Sequence, residues 1–293
     1  MSASAVARLA LLAHPAGHSV SPAMMEAAFA AVGRRARYDA LDVPPEELAA
    51  AVAALRQAPW VGANVSVPHK AAVVPLLDEL RPTARRLGAV NVVVRDRARL
   101  IGDNSDLPGF ARALAALGPV AGRQAVVLGA GGAARAVVAA LRDLGMEVAV
   151  HNRSPERACA LVAALGGGGA TVLADADLAA AVAAADLLVQ TTTVGMAGGP
   201  LGSPLPEGVL PTAGAVVDLV YRPAVTPLLR AARAAGLVVQ NGLPMLVHQG
   251  AAAFEAWTGL PAPVDAMGRA AEAALGGAGR GWTGLADGAG ATG

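Results

Sequence analysis

The stretch AVVLGAGGAARAVVAAL, Ala125 to Leu141, restricts the fold more than any other part of the chain. A short apolar run enters a glycine cluster, and an alanine-rich helical pattern leaves it. Gly129, Gly131 and Ala134 fit G-x-G-x-x-G/A in the strand–turn–helix context that gives this pattern its meaning. Gly129 permits the tight turn, Gly131 lets the backbone approach a pyrophosphate, and Ala134 is small enough for the helix to pack on its strand. The N–H groups of the loop Gly129, Ala130, Gly131, Gly132 and Ala133 are expected to face the anion at the helix end.

About 20 residues on, NAD-specific folds place an Asp or Glu on the ribose hydroxyls. Here the chain reads AVHNRSPER, with no carboxylate at Asn152, Arg153 or Ser154, and the Arg153 guanidinium suits a 2′-phosphate. The expected cofactor is therefore NADP. Ser154 also reads as the cap of a helix starting at Pro155; the two roles can coexist.

A chain of 293 residues is long for one core and predicts two domains with a cleft between them. The first hundred residues alternate strand-like runs (RLALLA, ARYDALDV, VGANVSV) with helical ones (SPAMMEAAFAAVG, PPEELAAAVAALRQA), which predicts an open, mostly parallel α/β sheet. In the helix SPAMMEAAFAAVG, Ser21 reads as the N-cap and Gly33 as the stop. The expected organisation is an N-terminal α/β substrate domain over residues 1–106 and a Rossmann-type NADP-binding domain over 107–241. A returning helical segment, 242–275, completes the first domain, and 276–293 reads as a mobile tail.

Net charge is +1 with no long basic block, so neither a nucleic-acid stripe nor a polybasic membrane patch is expected, and the partners should be small molecules. The opening MSASAVARLALLAHP reads as a first strand rather than a signal peptide, and the apolar window LADADLAAAVAAADLLV is interrupted by Asp175, Asp177 and Asp186. With a single cysteine, Cys159, a cytoplasmic location is expected. The histidines form no ligand spacing with one another or with a cysteine cluster, so no metal is predicted; His18 and His69 read as structural or surface residues. Monomer and homodimer both stay open.

Polar residues collect where first-half strands end or helices begin: Ser19, Ser21, Asn64, Ser66, Lys70, Asn91, Asn104, Ser105 and Asp106. In open α/β sheets these are the ends at which ligands bind. The alternation of Val65 and Val67 predicts that the strand runs on almost to Pro68, with Lys70 just beyond.

The ordered motifs HSVSPAMM, GANVSVPHK, LGAVNVVV, GDNSD, GAGGAAR, HNRS, VYRP and NGLPMLVHQGAAAFEAWTG resemble those of the shikimate dehydrogenase family, from about Leu9 to Pro261. The resemblance implies NADPH-dependent, reversible reduction of 3-dehydroshikimate to shikimate in aromatic amino-acid biosynthesis. It implies Ser19 and Ser21 as donors to the substrate carboxylate, and Asn64, Ser66, Asn91 and Asp106 around the ring, with Lys70. Lys70 and Asp106 would form the catalytic pair, Tyr221 and Gln249 would close the pocket, and Gly242 and Met245 would lie near the nicotinamide. Departures are Ser66 and Ser105 where threonine is common, QTTTVGM in place of NATSxGM, and Asn241 in place of aspartate.

The chemistry requires a cation or proton donor at the oxygen that gains charge as hydride reaches a ketone, and a free lysine is protonated near neutrality. Three rivals remain open at this stage: a quinate/shikimate dehydrogenase using NAD or NADP, a non-catalytic NADP-binding regulator of the same fold, and a relative acting on an aminated analogue.

Overall fold

The computed structural model describes residues 6–17, 19–120 and 122–277. His18 and the tail expected to be mobile, from residue 278 on, lie outside the described residues. The described residues divide into two compact units, one formed by 6–109 and 247–277, the other by 110–246.

The first unit contains β1 (Ala7–Ala13), α1 (Ser21–Ala31), β2 (Ala36–Asp42), α2 (Leu48–Ala54), β3 (Trp60–Val65), β4 (Glu79–Leu80), α3 (Pro82–Leu87), β5 (Val92–Asp96) and β6 (Arg99–Asp103). Its sheet runs β2-β1-β3-β5-β6-β4. The ladders β1/β2, β1/β3 and β4/β6 are parallel, while β5 runs antiparallel to both β3 and β6. One apolar cluster under this sheet joins Leu12, Val52, Leu55, Ala63, Val93 and Leu100. The stretch AVNVVVRDRARLIGDNSD reads as two strands joined by a short charged turn, Asp96 to Arg99, and it forms the β5–β6 hairpin; β4 and α3, short and flanked by proline or charge, carry too little periodicity to be read from sequence.

The chain leaves the first unit within α4 (Asp106–Leu117). The second unit then adds β7 (Gln124–Leu128), α5 (Gly132–Asp143), β8 (Glu147–His151), α6 (Pro155–Ala164), β9 (Ala170–Val172), α7 (Leu178–Ala184), β10 (Leu187–Gln190), β11 (Ala215–Asp218), α8 (Pro227–Ala234) and β12 (Val238–Gln240). All its ladders are parallel, in the order β12-β11-β10-β7-β8-β9, the doubly wound arrangement whose order reverses beside β7. Every residue of β10 and β11 is buried, as strands covered on both faces require. Thr226 starts α8 properly: its hydroxyl accepts the Leu229 N–H at 3.2 Å, and Pro227 follows in the first turn.

The return is made by α9 (Leu243–Thr258), followed by α10 (Val264–Ala274). The segment expected as one helical return is thus two helices, because Gly259, Pro261 and Pro263 interrupt the backbone hydrogen-bond ladder between them. Two further expectations change. β3 stops at Val65, leaving Val67 64% exposed in a turn. Ser21 does not cap α1 with its side chain; it is already the first helical residue, and its N–H is taken by the Ser19 hydroxyl at 3.2 Å.

Gly62 in β3 carries the indole of Trp257, whose Nε1 donates to the Val93 carbonyl at 3.0 Å. A methyl group at residue 62 would overlap both that carbonyl and that indole. Gly62→Ala is therefore expected to cost about 1–3 kcal/mol of stability, the usual cost of overpacking, measured by urea unfolding. A change under about 0.5 kcal/mol would mean that the Trp257 contact gives way freely.

Candidate active site

Asp106, the first residue of α4, is 4% exposed. Both carboxylate oxygens have donors: Lys70 Nζ reaches Oδ2 at 2.6 Å, and Asn91 Nδ2 reaches Oδ1 at 2.9 Å. The Lys70 and Asp106 side chains are 15% and 5% exposed, so the pair is largely withdrawn from water yet still open on the lysine side. Asn104 places Asp106, accepting the backbone N–H groups of Asp106 and Leu107 while its own amide donates to the Ala89 carbonyl at 3.0 Å.

Asn91 organises the remainder. Its Oδ1 accepts the Ser105 N–H at 2.7 Å, which directs Nδ2 toward the Asp106 carboxylate, the Ser105 hydroxyl and, at 3.4 Å, Gln249 Oε1. The Asn91 backbone carbonyl accepts Asn64 Nδ2 at 3.0 Å, and Asn64 Oδ1 accepts the Tyr38 hydroxyl at 2.8 Å. Gln249 comes this close because α9 packs tightly on Gly109 of α4, where a side chain would collide with the Gln249 backbone. Lys70, Asp106, Asn64, Asn91 and Gln249 therefore form one network, whereas Ser19 and Ser21 form a separate pair at the start of α1 and Ser66 enters through its backbone, its N–H bonded to Leu12.

Lys70 lies in a turn rather than at the start of an α-helix, and its carbonyl accepts the Val90 N–H at 2.8 Å. His69, 1% exposed, pins that turn by donating from Nε2 to the Val43 carbonyl at 2.7 Å, a structural role. A carbonyl only accepts, so the proton sits on Nε2.

In the second unit the glycine loop lies at the carboxyl end of β7. Gly129 has φ +112° and its missing side chain faces Thr191; Gly131, the N-cap residue of α5, has open space where a side chain would project. That cradle fits a pyrophosphate. At the end of β8, Arg153 is exposed, Asn152 Nδ2 donates to the Ser154 carbonyl at 2.9 Å, and Ser154 occupies the N-cap position of α6. Its hydroxyl, expected to cap, instead donates to Glu156 at 2.7 Å and holds that carboxyl below the usual range.

Gly242 has no room for a side chain because the Leu219 backbone fills the position, and its N–H donates to the Val220 carbonyl at 3.1 Å. Met245 is buried, and burial pushes the Tyr221 phenol up. Asp218, fully buried at the end of β11, shapes this loop by accepting the Thr226 hydroxyl at 2.7 Å and the Val220 N–H at 3.0 Å. Burial outweighs those bonds and pushes its carboxyl up to about 6.

Sequence reasoning missed Tyr38 and placed Asn104 among the polar strand-end residues without giving it a role. Tyr38 gave no local sign, since its link to Asn64 spans the intervening strand β1; Asn104 followed by Ser105 and Asp106 is a helix-start pattern in retrospect. Among the described residues no cluster of three His, Cys, Asp or Glu residues could hold a metal ion, and no helix is long and apolar enough to cross a membrane.

Three family models match the chain: the shikimate dehydrogenase substrate binding domain over residues 11–93, shikimate/quinate 5-dehydrogenase over 111–196, and the shikimate 5′-dehydrogenase C-terminal domain over 242–272. The chain is 49% identical over 276 residues to the NADP(+) shikimate dehydrogenase of Symbiobacterium thermophilum, covering 91% of this chain and 94% of that one. The chain belongs to the shikimate dehydrogenase family. The crystal structure of the family member from Thermus thermophilus, in complex with NADP(H) and shikimate, superimposes with a TM-score of 0.85 at 46% identity, over 92% of this chain and 100% of that one. Quinate dehydrogenase from Corynebacterium glutamicum in complex with NAD gives a TM-score of 0.83 at 34% identity, over 90% and 98%.

Two departures from the family pattern have local explanations. Gln190 folds back on its own loop, with Nε2 at 2.9 Å from the Thr192 hydroxyl and Oε1 accepting the Thr192 N–H at 2.8 Å. Asn241 accepts the Leu243 N–H at the start of α9 and donates to the Ala224 carbonyl at 3.1 Å, a bond that an ionised aspartate cannot make.

Asp218 gives a pH prediction. The folded chain keeps its proton to a higher pH than the unfolded chain, so this stabilisation is complete below about pH 4 and is lost as pH rises through about 6. The span is roughly 3 kcal/mol. The difference in unfolding free energy between the parent and Asp218→Asn should change by that amount across the window; a constant difference would contradict it.

Proposed function

We propose that this chain catalyses the reversible reduction of 3-dehydroshikimate to shikimate with NADPH. The observation that carries the reading is the Lys70–Asp106 pair, buried on the carboxylate side and held by Asn91, in a chain of this family. The first unit is the substrate domain and the second is the NADP domain.

Ser19 and Ser21 take the substrate carboxylate, and Asn64, Ser66, Asn91 and Asp106 take the ring, with Tyr221 and Gln249 closing the pocket. Gly129, Ala130, Gly131, Gly132 and Ala133 hold the pyrophosphate, Asn152, Arg153 and Ser154 the phosphorylated ribose, and Gly242 and Met245 border the nicotinamide. When bound, NADPH supplies the hydride. Lys70 gives its proton to the ketone oxygen as the carbon is reduced and takes it back from the hydroxyl in the reverse direction. Asp106 keeps the ammonium group at that oxygen and accepts a substrate hydroxyl. The exposed Arg153 and the absence of a carboxylate at residues 152–154 support NADP over NAD. The lone cysteine supports a cytoplasmic setting.

The reading is tested by offering shikimate and quinate to the purified protein, each with NADP⁺ and with NAD⁺, and following cofactor reduction optically. Turnover concentrated on shikimate with NADP⁺ is expected; a preference for quinate or NAD⁺ would move the chain to the quinate dehydrogenase group. Lys70→Ala should lower kcat by about 10²- to 10⁴-fold with little change in KM. Ser21→Ala should chiefly raise the KM for shikimate, and an unchanged KM would remove Ser21 from carboxylate binding.

A further inference from the structure

Tyr38 lies on β2, the edge strand of the first sheet, where its residue pairs with Leu9 of β1. It is 2% exposed, and its ring centroid is 6.3 Å from that of Trp257. From there its hydroxyl reaches past β1 to Oδ1 of Asn64 in β3, at 2.8 Å. Asn64 is itself only 5% exposed, so water offers little replacement for that donor. On its other side, Asn64 Nδ2 donates to the Asn91 backbone carbonyl at 3.0 Å.

These neighbours are not interchangeable. A carbonyl oxygen only accepts, so a flipped Asn64 amide would put two oxygens face to face at Asn91. The phenolic O–H satisfies the amide oxygen in the orientation that avoids this. One N–H of Nδ2 is then spent on Asn91, and the other is the donor left for a ligand. The Asn91 side chain reaches Asp106, so Asn64 braces the residue on which the catalytic carboxylate depends.

We propose that Tyr38 is a positioning residue: the Asn91 carbonyl sets the sense of the Asn64 amide, and the buried Tyr38 hydroxyl anchors its oxygen in that place, so that Asn64 meets the substrate's ring hydroxyl as a hydrogen-bond donor. This rests on the proposed shikimate dehydrogenase activity. Tyr38 is 2% exposed, which leaves it almost no surface for a ligand, so it acts through Asn64.

Tyr38→Phe keeps the ring and removes the hydroxyl. The KM for shikimate should rise about 3- to 10-fold, the span of one neutral hydrogen bond, with kcat within twofold and the KM for NADP⁺ unchanged. In an Asn64→Ala background the same substitution should change the shikimate KM by less than about twofold, because no amide remains to be oriented. A purely structural role would lower the melting temperature, leave the shikimate KM alone and persist in that background; this pattern overturns the proposal. A second measurement does not need turnover. In the ligand-free protein, solvent exchange of the Asn64 side-chain amide protons, followed by ¹⁵N NMR, should accelerate by at least about tenfold in Tyr38→Phe, and unchanged exchange overturns the proposal even if the parent proves inactive on shikimate.

Discussion

The structure around the candidate site depends on one buried carboxylate. Asp106 begins α4 at 4% exposure, where an ionised group is tolerated only if its oxygens are paired. Lys70 and Asn91 meet that need from opposite sides, and each has its own support: the His69–Val43 bond pins the Lys70 turn, while the Ser105 N–H orients the Asn91 amide. Removing any member leaves a charge or an amide unsatisfied in a nearly dry place. The bonds that place the ammonium group thus also satisfy the buried carboxylate and amide around it.

The second unit meets a different constraint with the same economy. Its sheet is parallel throughout, so helices must cover both faces and the loops at the carboxyl ends of the strands are left for ligands. Gly129 and Gly131 bring backbone rather than side chain to that edge. Gly242 does the same for packing, allowing the chain after β12 to lie on the Leu219 backbone. Asp218 secures the loop between them through Thr226 and Val220, while holding a carboxyl whose ionisation burial disfavours.

Much of this was legible in the sequence, because the strongest signals were local. The strand–glycine–helix of residues 125–141 and the β5–β6 hairpin each lie within one stretch of chain, and periodicity with turn chemistry reports such stretches well. The α9–α10 break was also local, in Gly259, Pro261 and Pro263, but the apolar pattern on both sides concealed it. What remained illegible was the choice among competing polar partners, two residues away for Ser154 and Ser19 and distant in the chain for Tyr38. The Ser154 hydroxyl bonds Glu156 instead of capping, Ser19 rather than Ser21 supplies the oxygen at the start of α1, and Tyr38 meets Asn64 only through sheet register. Family resemblance named the polar residues, but the direction of each amide came from the geometry around it.

Lys70 and Asp106, joined at 2.6 Å, should act as one unit in turnover. A double-mutant cycle on kcat for shikimate oxidation, with Lys70→Ala, Asp106→Asn and the pair together, decides the matter. Residues that work as a unit lose most of their effect at the first removal, so the double variant should be little slower than the slower single variant. Losses that multiply across the two sites would mean that lysine and carboxylate act independently, and the pair would no longer be the catalytic unit.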